Sequence, residues 1–361
     1  MTPATAVILA GGRGERFWPL STAARPKQLV PLFGGTPLLS QAIGRLDGLI
    51  PPERIWIITS RDLEEAVAAA APSIPRPQIL GEPCGRDTAA ANALACALVR
   101  SRDPQAVACI LTSDQISADA PRFRQTLSDA IALASRGEDI VTIGIPPTYP
   151  ATGFGYIEIE APMDLGLATP IDRARRFVEK PDAATAAKYV AGRRHFWNSG
   201  MFLWRTDVMR AAMELHAPDM LDLSDRFEAA IREDRLAAAL DELYPSARKL
   251  SIDYAVMEHA TNIAVVHGDF GWDDVGSWTS VAAHFPADDA GNVAVGPCET
   301  LESAGNIVVS EDGRFTALVG VNDLVVVHSG KSTLVCPKSR AQELKALLAK
   351  IAARPDASTY L

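Results

Sequence analysis

Strand-like and helix-like stretches alternate through the first 145 residues, and this restricts the chain to a sheet covered by helices. Short apolar runs at 7–10, 55–59, 107–111 and 140–145 are separated by segments of helical character at 38–46, 63–71, 88–100 and 123–135. Parallel strands need crossover connections of helix length, so the pattern predicts βα units and a mostly parallel α/β sheet. Ligands of such sheets bind beyond the carboxyl ends of the strands. The loops after Leu9, after Leu111 and around Pro83 are therefore the first candidates for a site.

Past Pro150 the pattern changes. Shorter strands at 155–159 and 175–178 mix with turns, and helices follow over about 206–243. A second change comes near 288–291. Beyond it, strand-like runs at 306–310, 316–319, 324–328 and 333–336 are separated by Gly, Asn and Asp, and a helix at 339–353 follows. We expect a first domain over 1–288 and a small β-rich second domain over 289–361, either a β-roll or a β-helix.

The formal net charge is −9 with no basic patch, so nucleic acid is not an expected partner. No apolar run approaches the ~20 residues that span a bilayer. The start at residues 4–10 lacks a basic flank and runs straight into glycines, so it reads as a strand and not a signal peptide. The five cysteines, Cys84, Cys96, Cys109, Cys298 and Cys336, form no CxxC pair. An odd number without metal spacing argues against a disulfide framework and for a reducing compartment, and a cytoplasmic location is expected.

The strongest local signal follows that first strand: Leu9-Ala10-Gly11-Gly12-Arg13-Gly14-Glu15-Arg16, continuing to Pro26-Lys27-Gln28. Glycines directly after a strand let backbone N–H groups approach phosphate oxygens, and Arg13, Arg16 and Lys27 add cations to the same segment. A polyphosphate needs both. The bland alternative is a glycine-rich turn with solvated basic side chains. The spacing fits neither the GxxxxGK[ST] P-loop nor the GxGxxG dinucleotide fingerprint.

The run GGRGERFWPLS…RPKQL resembles the signature of the sugar-nucleotide pyrophosphorylases, and most closely that of the mannose-1-phosphate guanylyltransferases. Further blocks follow in the family's order: Glu82-Pro83…Arg86-Asp87-Thr88-Ala89-Ala90, Thr112-Ser113-Asp114-Gln115, Gly153-Phe154-Gly155-Tyr156-Ile157, Phe177-Val178-Glu179-Lys180-Pro181, Trp197-Asn198-Ser199-Gly200-Met201, Ser251-Ile252-Asp253-Tyr254 and Gly271-Trp272-Asp273-Asp274-Val275-Gly276-Ser277-Trp278. The matches cover about residues 4–280.

The resemblance implies a Rossmann-like nucleotidyltransferase domain that joins GTP to a sugar 1-phosphate, most closely mannose 1-phosphate, and releases pyrophosphate. It implies that Mg²⁺ is carried by Asp114 and Asp274, with Arg16 and Lys27 as catalytic cations. Leu9, Ala10, Gly11, Gly12, Arg13, Gly14, Glu82, Arg86 and Thr88 are expected on the nucleotide. Gly153, Tyr156, Glu179, Lys180, Asn198, Ser199 and Gly200 are expected on the sugar phosphate. The chemistry is coherent: the attacking phosphate is already ionised, so positioning and charge neutralisation must do most of the work. Mg²⁺ favours one or two carboxylates plus phosphate oxygens and water. Taken alone, Asp114 also reads as a turn or cap residue, and only the family pattern selects Asp274 over Asp273.

Three positions depart from that pattern. Glu15 stands where Thr or Ser is usual, Gln115 replaces the usual His, and Thr112 a usual Pro. They leave open a heptose- or glucose-type sugar phosphate, or another base. A rival of another class is a non-catalytic nucleotide-sugar sensor, which would be expected to lose Lys27, Asp114 or Asp274; all three are present. The 73 residues of 289–361 carry no phosphate loop and no metal-spaced histidines. They cannot supply the isomerase domain of bifunctional relatives, so no isomerase activity is expected. Their expected task is to cover the catalytic domain or to mediate a homo-oligomer.

Overall fold

The computed structural model describes residues 4–12 and 14–361. The chain divides into two compact units, neither continuous in sequence. One comprises residues 4–11, Ala42–Ser113 and Ser117–Asp273; the other comprises Gly12–Gln41, Asp114–Ile116 and Asp274–Leu361.

The first unit is built on nine strands: β1 (Ala4–Leu9), β2 (Ile55–Ser60), β3 (Ile79–Glu82), β4 (Val107–Thr112), β5 (Ile140–Ile145), β6 (Tyr156–Pro162), β7 (Ile171–Val178), β8 (His195–Arg205) and β9 (Ile263–His267). They lie in the order β3-β2-β1-β4-β8-β5-β9-β7-β6, with an added β8–β6 pairing. β3, β2, β1 and β4 are mutually parallel, and β5 and β9 are parallel to each other. β8 runs against β4, β5 and β6, and β7 runs against β9 and β6. The sheet is thus mixed, with two strands opposing the other seven.

Val7 pairs with Trp56 on one side and Ile110 on the other, which puts β1 at the centre of the parallel half. Strands buried on both faces become continuous apolar runs, as in β1, β4 and β5. The helix Asp87–Arg100 is buried along most of its length because Ala89, Ala90, Ala93, Ala95 and Ala97 permit close packing. It packs in one core with Trp204, Met209, Phe227 and Tyr244.

The second unit contains a short parallel β-helix. Strands β10 (Val293–Val295), β12 (Ile307–Ser310) and β14 (Leu324–Ser329) stack in parallel, and β15 (Ser332–Pro337) closes the sheet antiparallel. A second face is formed by β11 (Cys298–Leu301) against β13 (Thr316–Val319), also parallel. Buried Asn306 explains the corners. Its backbone N–H and side-chain amide both donate to Asn292 Oδ1, and its own Oδ1 accepts from the Leu324 N–H. Stacked asparagines satisfy backbone groups that no strand partner reaches. Among the described residues, no helix is long and apolar enough to cross a membrane.

Candidate active site

In the second unit, Gly14 adopts a left-handed conformation, φ 60°, and opens the single turn Glu15–Phe17. A methyl group on Gly14 would lie 2.4 Å from Lys27 Cβ, so only glycine allows the two segments to touch. Ser21 Oγ donates to the Gly14 carbonyl at 2.5 Å, which secures the turn from its other side. Pro26 sets the entry to a second short turn, Lys27–Leu29. Gln28 Nε2 donates to the Gly12 carbonyl at 3.1 Å.

Lys27 is buried, with a side chain only 8% exposed. A buried ammonium must find partners, and among the described residues two oxygens serve it. Its Nζ lies 3.3 Å from Asp114 Oδ2 and donates to the Asp274 carbonyl oxygen at 2.5 Å. The Phe17 ring stands 5.7 Å away on another side. Asp114 stays 40% exposed on its side chain. Gly276 keeps the Asp274 loop open. A methyl there would sit 3.0 Å from Asp274 Oδ2 and 3.5 Å from Arg16 Nη1, so both groups border one small space. Arg16 and Glu15 are exposed. Arg13 lies outside the described residues. This unit therefore gathers two carboxylates and two cations. Among the described residues, no cluster of three or more His, Cys, Asp or Glu side chains suits a metal ion.

The first unit holds two further groups of polar residues. At the end of β3, the Glu82 carboxylate accepts a hydrogen bond from the Tyr244 hydroxyl. Its Oε2 lies against Gly11, where a methyl group would come within 3.1 Å. Burial pushes the Glu82 carboxyl up to about 7; the Tyr244 bond opposes this and nearby Asp87 adds to it. The Tyr244 hydroxyl is itself driven above its ordinary range by burial and by that same carboxylate.

Other sequence-predicted nucleotide residues have internal partners here. The Ala10 N–H donates to Ile58 O at 2.8 Å, and its carbonyl accepts from Thr59 Oγ1 at 3.0 Å. The Leu9 carbonyl accepts from Ser113 Oγ. Arg86 donates from Nε to the Tyr244 carbonyl at 3.3 Å and from Nη2 to that of Pro245. Thr88 Oγ1 accepts from the Ile252 N–H. Gly11 and Gly12 remain exposed.

The second group surrounds Glu179 at the end of β7. Its Oε2 lies close enough to Gly155 that a methyl there would be 2.5 Å away. Its Oε1 pairs with Lys180 Nζ. Burial works to lower the Lys180 pKa, but the Glu179 pairing outweighs it and holds the ammonium above its ordinary value. Asn198, on β8, donates from Nδ2 to Asp253 Oδ1 at 3.1 Å and accepts from the Gly200 N–H at 3.0 Å. Burial pushes the Asp253 carboxyl up to about 6, and the Glu179 charge adds to it. Gly200 takes a left-handed φ of 73°. Gly153 has open space where a side chain would start.

Two expected sugar residues turn into the protein. Tyr156 is fully buried and its hydroxyl donates to the Ala151 carbonyl at 2.9 Å. Ser199 Oγ donates to Ile143 O at 2.6 Å. The sequence motifs assign no role to Tyr244, Asp253 or Gly155. The Ser-Ile-Asp-Tyr and Gly-Phe-Gly-Tyr blocks held the signal for the last two; Tyr244 had none.

Residues 5–290 match the nucleotidyl transferase family, and residues 299–351 match the mannose-phosphate isomerase/GMP-like β-helix domain. The mannose-1-phosphate guanylyltransferase of Escherichia coli K12 is 35% identical over 96% of this chain and 73% of its own length. The chain belongs to the mannose-1-phosphate guanylyltransferase family. The alginate biosynthesis protein AlgA of Pseudomonas aeruginosa is 35% identical over 98% of the chain and 73% of its own length. A solved structure from Thermus thermophilus, described as a mannose-1-phosphate geranyltransferase, is 36% identical, with a TM-score of 0.85 over 97% of this chain and 99% of that one. As a member of this guanylyltransferase family, the chain is a nucleotidyltransferase. It has the α/β domain and β-helix expected of it, and the choice between β-roll and β-helix is settled for the latter.

Proposed function

We propose that this chain transfers a guanylyl group from GTP to mannose 1-phosphate, giving GDP-mannose and pyrophosphate in one in-line displacement. The observation that carries the reading is Lys27, buried and held between Asp114 and the Asp274 carbonyl. A sugar-phosphate oxygen attacks the α-phosphorus as the bond to the bridging α–β oxygen breaks. No proton need move, because the nucleophile is ionised and pyrophosphate leaves as an anion. Lys27 and Arg16 bind phosphate oxygens and offset the repulsion between two polyanions. Hence no side-chain nucleophile is required and no covalent intermediate forms.

Asp114 and Asp274 fit Mg²⁺. They are hard oxygen donors in one unit, Asp114 is half-exposed, and Asp274 Oδ2 borders the space beside Gly276. When bound, Mg²⁺ supplies neutralisation of charge on phosphate oxygens. The two carboxylates would hold it, while Lys27 maintains their spacing.

Glu82 favours guanine. The Watson–Crick edge of guanine offers two donors, N1–H and the 2-amino group, and an ionised carboxylate accepts both. The exposed backbone at Gly11 and Gly12 leaves room for the base and phosphates. On the sugar side, Glu179 and Asn198 are suited to hydroxyl groups and Lys180 to the sugar phosphate. Arg86, Thr88, Tyr156 and Ser199 serve these sites by holding backbone in place. We assign catalysis to 1–288, a cytoplasmic setting, and homo-oligomer formation to 289–361.

The test is a pyrophosphate-release screen of GTP, ATP, UTP and dTTP against mannose, glucose and heptose 1-phosphates with Mg²⁺. GTP with mannose 1-phosphate should lead. A lead of about tenfold for UTP or dTTP with glucose 1-phosphate, ~1.4 kcal/mol of specificity, would overturn the guanylyl assignment and leave the enzyme class intact.

A further inference from the structure

The segment that carries Arg16 and Lys27 shares its hydrophobic core with the β-helix. Phe17, Trp18, Leu20 and Val30 pack in one cluster with Trp278, Ile307, Val309, Val325 and Leu344. Four polar anchors reinforce this packing. Trp278 Nε1 donates to the Trp18 carbonyl at 3.0 Å, and Trp18 Nε1 donates to the Tyr360 carbonyl at 2.8 Å. The Ala23 N–H donates to Leu361 O at 2.8 Å. Arg25 Nη1 lies 2.6 Å from Glu311 Oε1, and Glu311 also accepts from Ser329 Oγ.

The placement of these anchors carries the argument. Trp18 is two residues from Arg16, and Arg25 two residues from Lys27. Trp278, which holds Trp18, follows Asp274 by four residues. Every charged group proposed for phosphate or metal binding on these two loops therefore sits beside a residue tied to the region beyond residue 277. A site that stabilises developing charge needs its groups held to within about half an ångström.

We propose that the β-helix and the segment following it position the catalytic loop: Glu311, Trp278 and the Tyr360 carbonyl hold the 14–27 segment in the conformation that presents Arg16 and Lys27 to the phosphates. The region thus supplies positioning residues to catalytic groups that lie within 1–288, beyond the covering or assembly role expected from its sequence. The proposal rests on the phosphate-binding reading of Lys27.

The experiment uses full-length Glu311→Gln and Trp18→Phe. The first removes the ion pair at a partly exposed position; the second keeps a ring in the core and removes the indole donor. In each, kcat per folded molecule should fall about tenfold, because small misplacements of charged groups are costly to turnover. KM for mannose 1-phosphate should stay within about twofold of wild type, since Glu179 and Asn198 belong to the other unit. Lys27→Ala is measured in parallel. If it retains turnover, the phosphate reading fails. If it is inactive while Glu311→Gln keeps wild-type kcat and merely unfolds at lower denaturant, the anchors only stabilise the fold and the positioning proposal is overturned. Should Trp18→Phe not fold, Glu311→Gln alone decides.

Discussion

Lys27 Nζ stands 3.3 Å from Asp114 Oδ2, although 87 residues separate them in the chain. The same ammonium holds the Asp274 carbonyl, so one side chain fixes the positions of two loops. An exposed lysine would gain little from such a pair, whereas a buried one depends on it, because removing either partner leaves a buried polar group unpaired.

Removing any member of this group should be costly. Lys27→Ala, Asp114→Asn and Asp274→Asn should each lower turnover by roughly 10²-fold, the usual loss for a key electrostatic group. The two carboxylate variants should also require more Mg²⁺ for half-maximal rate, and chelation with EDTA should abolish wild-type turnover. Steady-state pyrophosphate release over a Mg²⁺ titration measures all of this. Asp variants with an unaltered Mg²⁺ requirement would remove them from the metal site.

Glu82 should impart a pH dependence. With its carboxyl raised to about 7, the acceptor form is lost as pH falls through neutrality, so kcat/KM for GTP should decline on the acid side of about pH 7. Tyr244→Phe removes a bond that favours the carboxylate, and should move this limb to higher pH. Glu82→Gln should flatten it and weaken the preference for GTP over ATP. Stability carries the same signature. A carboxyl whose pKa is raised on folding destabilises the fold as pH rises from its unfolded value, 4.5, through about 7. Denaturation midpoints of Glu82→Gln and wild type should therefore diverge across that window, with the variant gaining at the alkaline end.

Asp253 should act through Asn198. Its Oδ1 accepts from Nδ2 and fixes the amide so that Oδ1 of Asn198 faces the Gly200 N–H. Asp253→Ala frees that amide and should raise KM for mannose 1-phosphate about tenfold while KM for GTP stays within about twofold. Initial-rate measurements with each substrate varied in turn check the split. An equal rise in both constants would assign Asp253 a general structural role.

Local pattern exposes several elements well. Residues 140–145 and 316–319 form strands with the expected bounds, and the helix expected at 88–100 begins one residue earlier, at Asp87. Local alternation does not reveal the strand His195–Arg205, because Asn198-Ser199-Gly200 interrupts its apolar pattern. It forms because three neighbours, β4, β5 and β6, pair with it. Ile79–Glu82 gives no clear strand signal, being short and containing glycine. Motifs single out Lys27, Asp114 and Asp274, which the fold links through the Lys27 ammonium, but nothing local announces Tyr244, whose hydroxyl meets a carboxylate 162 residues away. Nor does composition reveal that Arg86 is occupied with the backbone of Tyr244 and Pro245. Such roles arise only when distant segments are packed together.

The tight fit at Gly14 limits what can be engineered nearby. Its φ of 60° and the 2.4 Å approach of Lys27 Cβ exclude even alanine without displacing the lysine. At Gly12 a side chain would meet open space. A library randomising both codons and selected only for folded, protease-resistant protein should tolerate variety at position 12 and return a single letter at position 14.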